Sequence, residues 1–169
     1  MEKLLVVGCG SIGERHIRCL QKTNDVQVTP CDPRRARLER MQTCYGTEAG
    51  LTDYVEADLD AFDAVLVCTP TQLHIPQALR AAQAGCHVFV EKPISVDMDG
   101  VGELIDLCDS TDLVLQVGYV LRHHPLILRA KQLIDDGAIG TIHMADIRVG
   151  SYIPDARPEY SSLYWASRE

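Results

Sequence analysis

The chain has 169 residues, of which 46% are apolar and 24% charged, a balance that suits one soluble globular core of ordinary size. A net charge of −8 and a pI near 5.2 exclude a phosphate-backbone partner such as nucleic acid. No apolar run is long enough to span a bilayer, and Met1-Glu2-Lys3 leads straight into a strand rather than a signal peptide, so a cytoplasmic location is expected.

Strands and helices alternate from the start. Lys3 to Val7 reads as a short buried strand, and Ser11 to Gln21 carries Ile12, His16, Ile17 and Leu20 at helical spacing. Val26 to Cys31 is a second strand. Pro33 to Thr43 is a helix with Asp32 as N-cap, Pro33 at its first position and Gly46 near its end. The basic cluster Arg34, Arg35, Arg37 and Arg40, interleaved with Glu39, reads as one face of that helix. Ala64 to Cys68 is an all-apolar strand, Gln72 to Ala84 an alanine-rich helix closed by Gly85, and His87 to Val90 a strand. Val101 to Cys108 is a helix, Leu113 to Val117 a strand, and Pro125 to Asp135 a helix with Leu126, Ile127, Ala130, Leu133 and Ile134 on one face. Thr141 to Val149 then alternates as a longer, half-exposed strand.

Repeating β-α units with fully apolar strands predict an α/β fold, a doubly wound parallel sheet with helices on both faces. The seven cysteines (9, 19, 31, 44, 68, 86 and 108) are odd in number and form no C-x-x-C pair. They read as reduced thiols rather than a disulfide framework, and no metal site is expected.

Gly8-Cys9-Gly10-Ser11-Ile12-Gly13 is a G-x-G-x-x-G fingerprint in the right setting: it follows a strand and opens a helix, and Asp32 ends the next strand. Gly8 permits the tight turn, Gly10 lets backbone approach a pyrophosphate, and Gly13 lets helix and strand pack closely. The helix N-terminus, with Ser11 and Ile12 in its first turn, offers N–H groups and a positive dipole end to phosphate. The alternative is a turn cluster without ligand.

Asp32 can accept ribose hydroxyls and repel a 2′-phosphate, which favours NAD, while Arg34 and Arg35 leave NADP open. Asp32 could also serve only as a helix cap. After the third strand, Cys68-Thr69-Pro70-Thr71-Gln72-Leu73-His74 reads as a wall of the same cleft, Thr69 and Thr71 supplying hydroxyls and Pro70 blocking helix continuation. His74 is either a cleft residue or a first-turn helix histidine facing a neighbour.

Glu91-Lys92-Pro93 places a charged pair at the carboxyl end of an apolar strand, where open α/β sheets bind ligands. Lysine suits proton transfer because burial perturbs its charge readily. The competing reading is a surface ion pair between Lys92 and Glu91 or another carboxylate.

Several segments together resemble the glucose–fructose oxidoreductase / inositol dehydrogenase (Gfo/Idh/MocA) family. They are the glycine loop followed by His16; Thr-Pro-x-x-x-His with Ala78 and Ala81; and Gly85-Cys86-His87-Val88 leading to Glu91-Lys92-Pro93. Gly118, Arg122 and Pro125, and then Gly137-Ala138-Ile139-Gly140, complete the pattern. The resemblance implies a Rossmann domain binding NAD or NADP (residues 1–120), followed by the start of an α+β substrate and oligomerisation domain (121–169). It also implies hydride transfer between nicotinamide and a sugar, cyclitol or nucleotide-sugar alcohol. Lys92 would then sit near the nicotinamide and handle the hydroxyl proton; Glu91 would lie against the cofactor as well.

Two departures from that pattern stand out. Val120 replaces a frequent Asn, and the family's further Asp and His, on a helix of the second domain, have no counterpart after Trp165. The expectation is therefore a truncated oxidoreductase, one completed by another chain, or a non-catalytic dinucleotide-binding module. The apolar strand Thr141 to Val149, which lacks neighbours within the chain, would pair with another copy or be poorly ordered. The aromatics Tyr152, Tyr160, Tyr164 and Trp165 crowd the tail with little chain left to bury them.

Overall fold

The computed structural model describes residues 1–23 and 25–148, which fall into two units divided between Leu121 and Arg122. The first unit is built on five strands: β1 (Glu2–Val7), β2 (Val26–Cys31), β3 (Ala64–Val67), β4 (His87–Val90) and β5 (Leu115–Val117). All pair in parallel, in the order β2-β1-β3-β4-β5. The chain leaves β1 toward one side and returns to the other, so the order reverses between β1 and β3, and a crevice opens at their carboxyl ends.

The period-2 alternation of β1 splits its side chains between two cores. Leu4 and Val6 join Val28 and Leu66 beneath Ile17 of α1 (Ser11–Leu20) and Leu38 and Met41 of α2 (Arg35–Tyr45). Leu5 and Val7 join Val65, Val67, Val88 and Val90 on the other face, beneath α3 (His74–Gln83) and α4 (Val101–Ser110). The buried Ala78, Ala81 and Ala82 let α3 lie close against that face. Helices on both faces explain the unbroken apolar runs 4–7, 64–67 and 88–90 of the inner strands, whereas the edge strands admit Gln27, Thr29 and Gln116.

Local readings are corrected at three places. Asp32 is not the N-cap of α2: Arg34 is, without a side-chain cap, and Pro33 precedes the helix. Asp32 instead faces the glycine loop, where stronger partners hold it. The span expected as one helix from Gln72 divides into a 3-10 turn, Thr71–Leu73, and α3. Pro76 fits in the first turn of α3, where its missing N–H would have no partner. β5 is shorter than expected because the Leu113 N–H closes α4 through the Cys108 carbonyl and the Val114 N–H is taken by His87 Nδ1.

At the other edge of the sheet, β2 is flanked by an irregular segment. The Glu48 and Leu51 N–H groups donate to the Val28 and Pro30 carbonyls, and the Asp32 N–H donates to the Leu51 carbonyl. Because Cys31 turns its carbonyl toward Gly8, Pro30 faces away from β1, where a missing N–H breaks no ladder bond.

In the second unit, α5 (Pro125–Asp135) begins at His124, whose Nδ1 accepts the Leu126 N–H, with Pro125 in the first turn. No strand forms over 141–148, contrary to the expectation; alternation alone does not make a strand without a partner for its backbone groups, and none of the described residues pairs with it. Val149 and the four tail aromatics lie outside the described residues.

Candidate active site

The ends of the strands set a row along the carboxyl edge of the sheet: Asp32 after β2, Gly8 after β1, Cys68 and Thr69 after β3, Glu91 and Lys92 after β4, and Gly118 after β5. Backbone bonds continue the ladder through this row. Gly8 N–H donates to Cys31 O at 2.8 Å, Cys68 N–H to Val7 O at 2.8 Å, Glu91 N–H to Val67 O at 2.9 Å, and Gly118 N–H to Val90 O at 2.8 Å. Three strand spacings separate the Asp32 end from the Lys92 end, roughly 14 Å at ~4.8 Å each. That run suits an extended ligand laid across the switch point.

The three glycines of the loop differ in what surrounds them. A Cβ on Gly13 would lie 1.9 Å from Gly8 O, so α1 meets the turn backbone to backbone. Gly8 has φ +91°, and its Cβ would lie 2.7 Å from Cys68 O, against the β3 loop. A Cβ on Gly10 would meet nothing within 4 Å. Gly13 and Gly8 are needed for packing, whereas Gly10, the N-cap of α1, opens onto empty space at the start of that helix. Open space at the N-terminal end of a helix, where the first backbone N–H groups have no partner within the helix, is what a pyrophosphate requires, so the loop fits a dinucleotide.

Asp32 is buried at 2% exposure and held by three donors. The Cys9 N–H and Arg37 Nη1 both reach Oδ2 at 2.9 Å, and the Arg34 N–H reaches Oδ1 at 2.9 Å. Burial pushes the carboxyl pKa up, but the Arg34 N–H, the Arg37 guanidinium and the Cys9 N–H outweigh it, so the group sits below the usual aspartate value. The neighbouring thiols move the other way. Burial, with Asp32 beside it, pushes Cys9 up to about 12, and burial together with Asp53 and Asp32 pushes Cys31 up to about 11.

The β3 loop is tied down from α3. Thr69 Oγ1 donates to Gln77 Oε1 at 2.6 Å. His74, 1% exposed, sets Nε2 2.8 Å from the Thr69 carbonyl and Nδ1 2.9 Å from the Pro93 carbonyl. One ring therefore spans the loops after β3 and β4, with its polar atoms turned to backbone.

Glu91 is buried, and its carboxylate pairs with His16 Nε2 of α1 at 2.7 Å and accepts the Lys92 N–H at 3.1 Å. The His16 ring also stands edge-on to Phe89 of β4, with centroids 5.0 Å apart. Gly118 leaves room for this carboxylate: a Cβ there would meet it at 3.1 Å. With Glu91 committed to His16, the surface-pair reading fails for Glu91. Lys92 is exposed, makes no ion pair with a described residue, and is joined to Pro93 by a cis bond.

The structure thus brings Gly8, Gly10, Ser11, Ile12, Gly13, Asp32, Thr69, Pro70, Glu91 and Lys92 to one edge, with Arg34 exposed beside Asp32 and Thr71 opening the turn below Pro70. Sequence reasoning missed Arg37 as the partner of Asp32, Gln77 as the partner of Thr69, and His16 as the partner of Glu91. Only Arg37 carried a local signal, an arginine one turn into a helix whose start lies next to an acid.

This fold, with a glycine turn beside an acid-tipped second strand, defines a dinucleotide-binding Rossmann module. The profile of the oxidoreductase family with an NAD-binding Rossmann fold matches residues 3–119, and the chain belongs to that Gfo/Idh/MocA family. It is 34% identical to an inositol 2-dehydrogenase of Rhizobium meliloti over 154 residues, 90% of this chain and 46% of the relative. It is 32% identical to a myo-inositol 2-dehydrogenase of Thermotoga maritima over 155 residues, with the same coverage of each. Among solved structures, scyllo-inositol dehydrogenase of Lactobacillus casei with NAD(H) and scyllo-inositol superimposes with a TM-score of 0.76 at 29% identity, over 84% of this chain and 43% of that one. The WlbA dehydrogenase of Bordetella pertussis with NADH and UDP-GlcNAcA gives 0.73 at 28%, over 85% and 45%. The chain spans about half the length of the curated relatives it matches.

Proposed function

We propose that this chain binds NAD(H) across the carboxyl edge of its sheet and serves hydride transfer to or from a secondary hydroxyl of a cyclitol, sugar or nucleotide sugar. The observation that carries the reading is the shared edge: Lys92 follows the strand beside the one that meets the glycine loop, on the same side as Asp32.

In this reading Gly8, Gly10, Ser11, Ile12 and Gly13 receive the pyrophosphate, and Asp32 with Arg34 meets the adenosine ribose. Thr69, Pro70 and Thr71 wall the cleft, His74 holds that wall to the Pro93 loop, and Glu91 fixes the start of the Lys92 loop. Lys92 orients the substrate hydroxyl and holds its proton at Nζ. When bound, the nicotinamide supplies the hydride acceptor or donor. The relatives' inositol and UDP-sugar ligands support the substrate class.

Cytoplasmic residence is supported by seven cysteines that form no disulfide. Among the described residues no helix is long and apolar enough to cross a membrane. Association of copies through 141–149 is supported by the exposed Ile142, Met144 and Ile147.

Calorimetric titration with NAD⁺, NADH, NADP⁺ and NADPH tests the binding. Nicotinamide reduction with inositols and UDP-sugars tests the chemistry, and Lys92→Ala should abolish turnover while leaving NADH affinity within about threefold. Absence of binding by all four dinucleotides would end the reading.

A further inference from the structure

Asp32 occupies the position from which a carboxylate would exclude a 2′-phosphate, yet its hydrogen-bonding capacity is largely committed within the protein. An ionised carboxylate offers about four acceptor positions. Three are filled, by the Cys9 N–H, the Arg34 N–H and Arg37 Nη1, each at 2.9 Å. The two hydroxyls of a ribose would compete for what remains on Oδ1.

The charge is also answered. Arg37 pairs directly with Oδ2, and its side chain is 39% exposed. The guanidinium therefore stands between a buried acid and solvent. Arg34 and Arg35 are exposed alongside and make no ion pair with a described residue. Three cations and one paired anion do not form a negative barrier.

We propose that Arg37 is a specificity-determining residue that neutralises Asp32 and so lets this chain accept NADPH as well as NADH. The inference rests on the dinucleotide reading above and adds the balance between the two cofactors. Arg37 acts through its charge and its hold on Asp32. A 2′-phosphate brings close to two negative charges near that guanidinium, so deleting the cation should weaken NADPH by about tenfold even at a water-like dielectric. NADH lacks that group and should change less than about threefold.

The test is fluorescence titration of the full chain with NADH and with NADPH, for the wild type, Arg37→Ala and Arg37→Lys, with folding checked by circular dichroism. The expected wild type binds both within about tenfold of each other, and raising salt weakens NADPH more than NADH. Arg37→Ala should raise the NADPH/NADH Kd ratio about tenfold, and Arg37→Lys should recover most of the difference. A ratio that Arg37→Ala leaves unchanged overturns the inference while the dinucleotide reading stands. So does a wild type that binds NADH but excludes NADPH, or a ratio indifferent to salt, neither of which needs a folded variant. A folded wild type that binds neither dinucleotide overturns the functional proposal itself.

Discussion

Gly10→Ala and Gly13→Ala change the same atom three residues apart and should have opposite consequences. At Gly13 the new Cβ would start 1.9 Å from Gly8 O, and real Cβ atoms essentially never come within 3.0 Å of such a neighbour. At least 1.1 Å of separation (3.0 less 1.9) must therefore be found between α1 and the turn. Gly8 has little room to yield it, because even a Cβ on it would fall 2.7 Å from Cys68 O and its N–H is bonded to the Cys31 carbonyl. The helix must move instead, loosening Ile17 in the core and the His16–Glu91 pair. Overpacking of this kind costs about 3 kcal/mol. With a urea m-value near ~2 kcal/mol/M, the midpoint should fall by roughly 1.5 M.

At Gly10 the Cβ meets nothing within 4 Å, and φ −72° with ψ −168° suits any residue. Alanine there should leave stability unchanged or raise it by about 0.5 kcal/mol through the unfolded chain. Its methyl would nonetheless stand in the space proposed for pyrophosphate, so NADH affinity should drop by at least about tenfold. Urea unfolding followed by tryptophan-independent circular dichroism, paired with NADH titration, separates the two effects. A neutral Gly13→Ala, or a Gly10→Ala that destabilises without altering NADH affinity, would refute the assignment of packing to one glycine and ligand access to the other.

Other outcomes follow from the same geometry. Asp32 has a folded pKa below its unfolded value, so its contribution to stability is present above about pH 4 and is lost as pH falls through the folded value. Asp32→Asn should remove that part of the acid limb in pH-dependent unfolding, and an unchanged limb would contradict the assignment. A double-mutant cycle on His16→Ala and Glu91→Gln should give a coupling of about 1.5 kcal/mol in unfolding free energy, since the pair is mostly buried. Additivity within a few tenths would mean that the pair does not hold α1 to the Lys92 loop. In native protein near pH 8, a thiol reagent should label Cys19 and Cys44 quickly, because both are exposed. The buried Cys9, Cys31, Cys68, Cys86 and Cys108 should react only on unfolding, with burial raising each thiol above its ordinary value. Mass spectrometry of the labelled peptides checks this, and rapid labelling of Cys9 or Cys68 would place them elsewhere than in the core.

The elements that could be read from sequence were those whose signals are local. Val26–Cys31, His87–Val90 and Pro125–Asp135 have their expected bounds because apolar runs and punctuating residues mark both ends. Local signals also misled. Asp32-Pro33 has the look of a cap followed by a first-turn proline, but the carboxylate finds Cys9 23 residues earlier and Arg37 five residues later, and these hold it outside the helix. His16 and Glu91 lie 75 residues apart, and nothing in either neighbourhood announces the other. Their meeting depends on His16 reaching from α1 across to Phe89 and Glu91 at the end of β4. The alternation over Thr141 to Val149 records a preference for pleated backbone, which only a partner could satisfy. That the site residues share one edge of the sheet was therefore legible from the repeating βα pattern, whereas their order along it and the bonds that fix them were not.

Pro30 and the 48–51 strap bear on how copies of this unit can meet. Sheets merge by exchanging backbone bonds along an open border, and the β2 border has few to exchange. The Val28 and Pro30 carbonyls are already occupied, the Asp32 N–H is committed to Leu51, and Pro30 has no N–H to offer. A second sheet arriving there would have to strip the strap before it gained one bond of its own. The glycine and Asp32 loops can therefore stay exposed to a ligand beside this border without inviting a neighbouring chain to zip onto it.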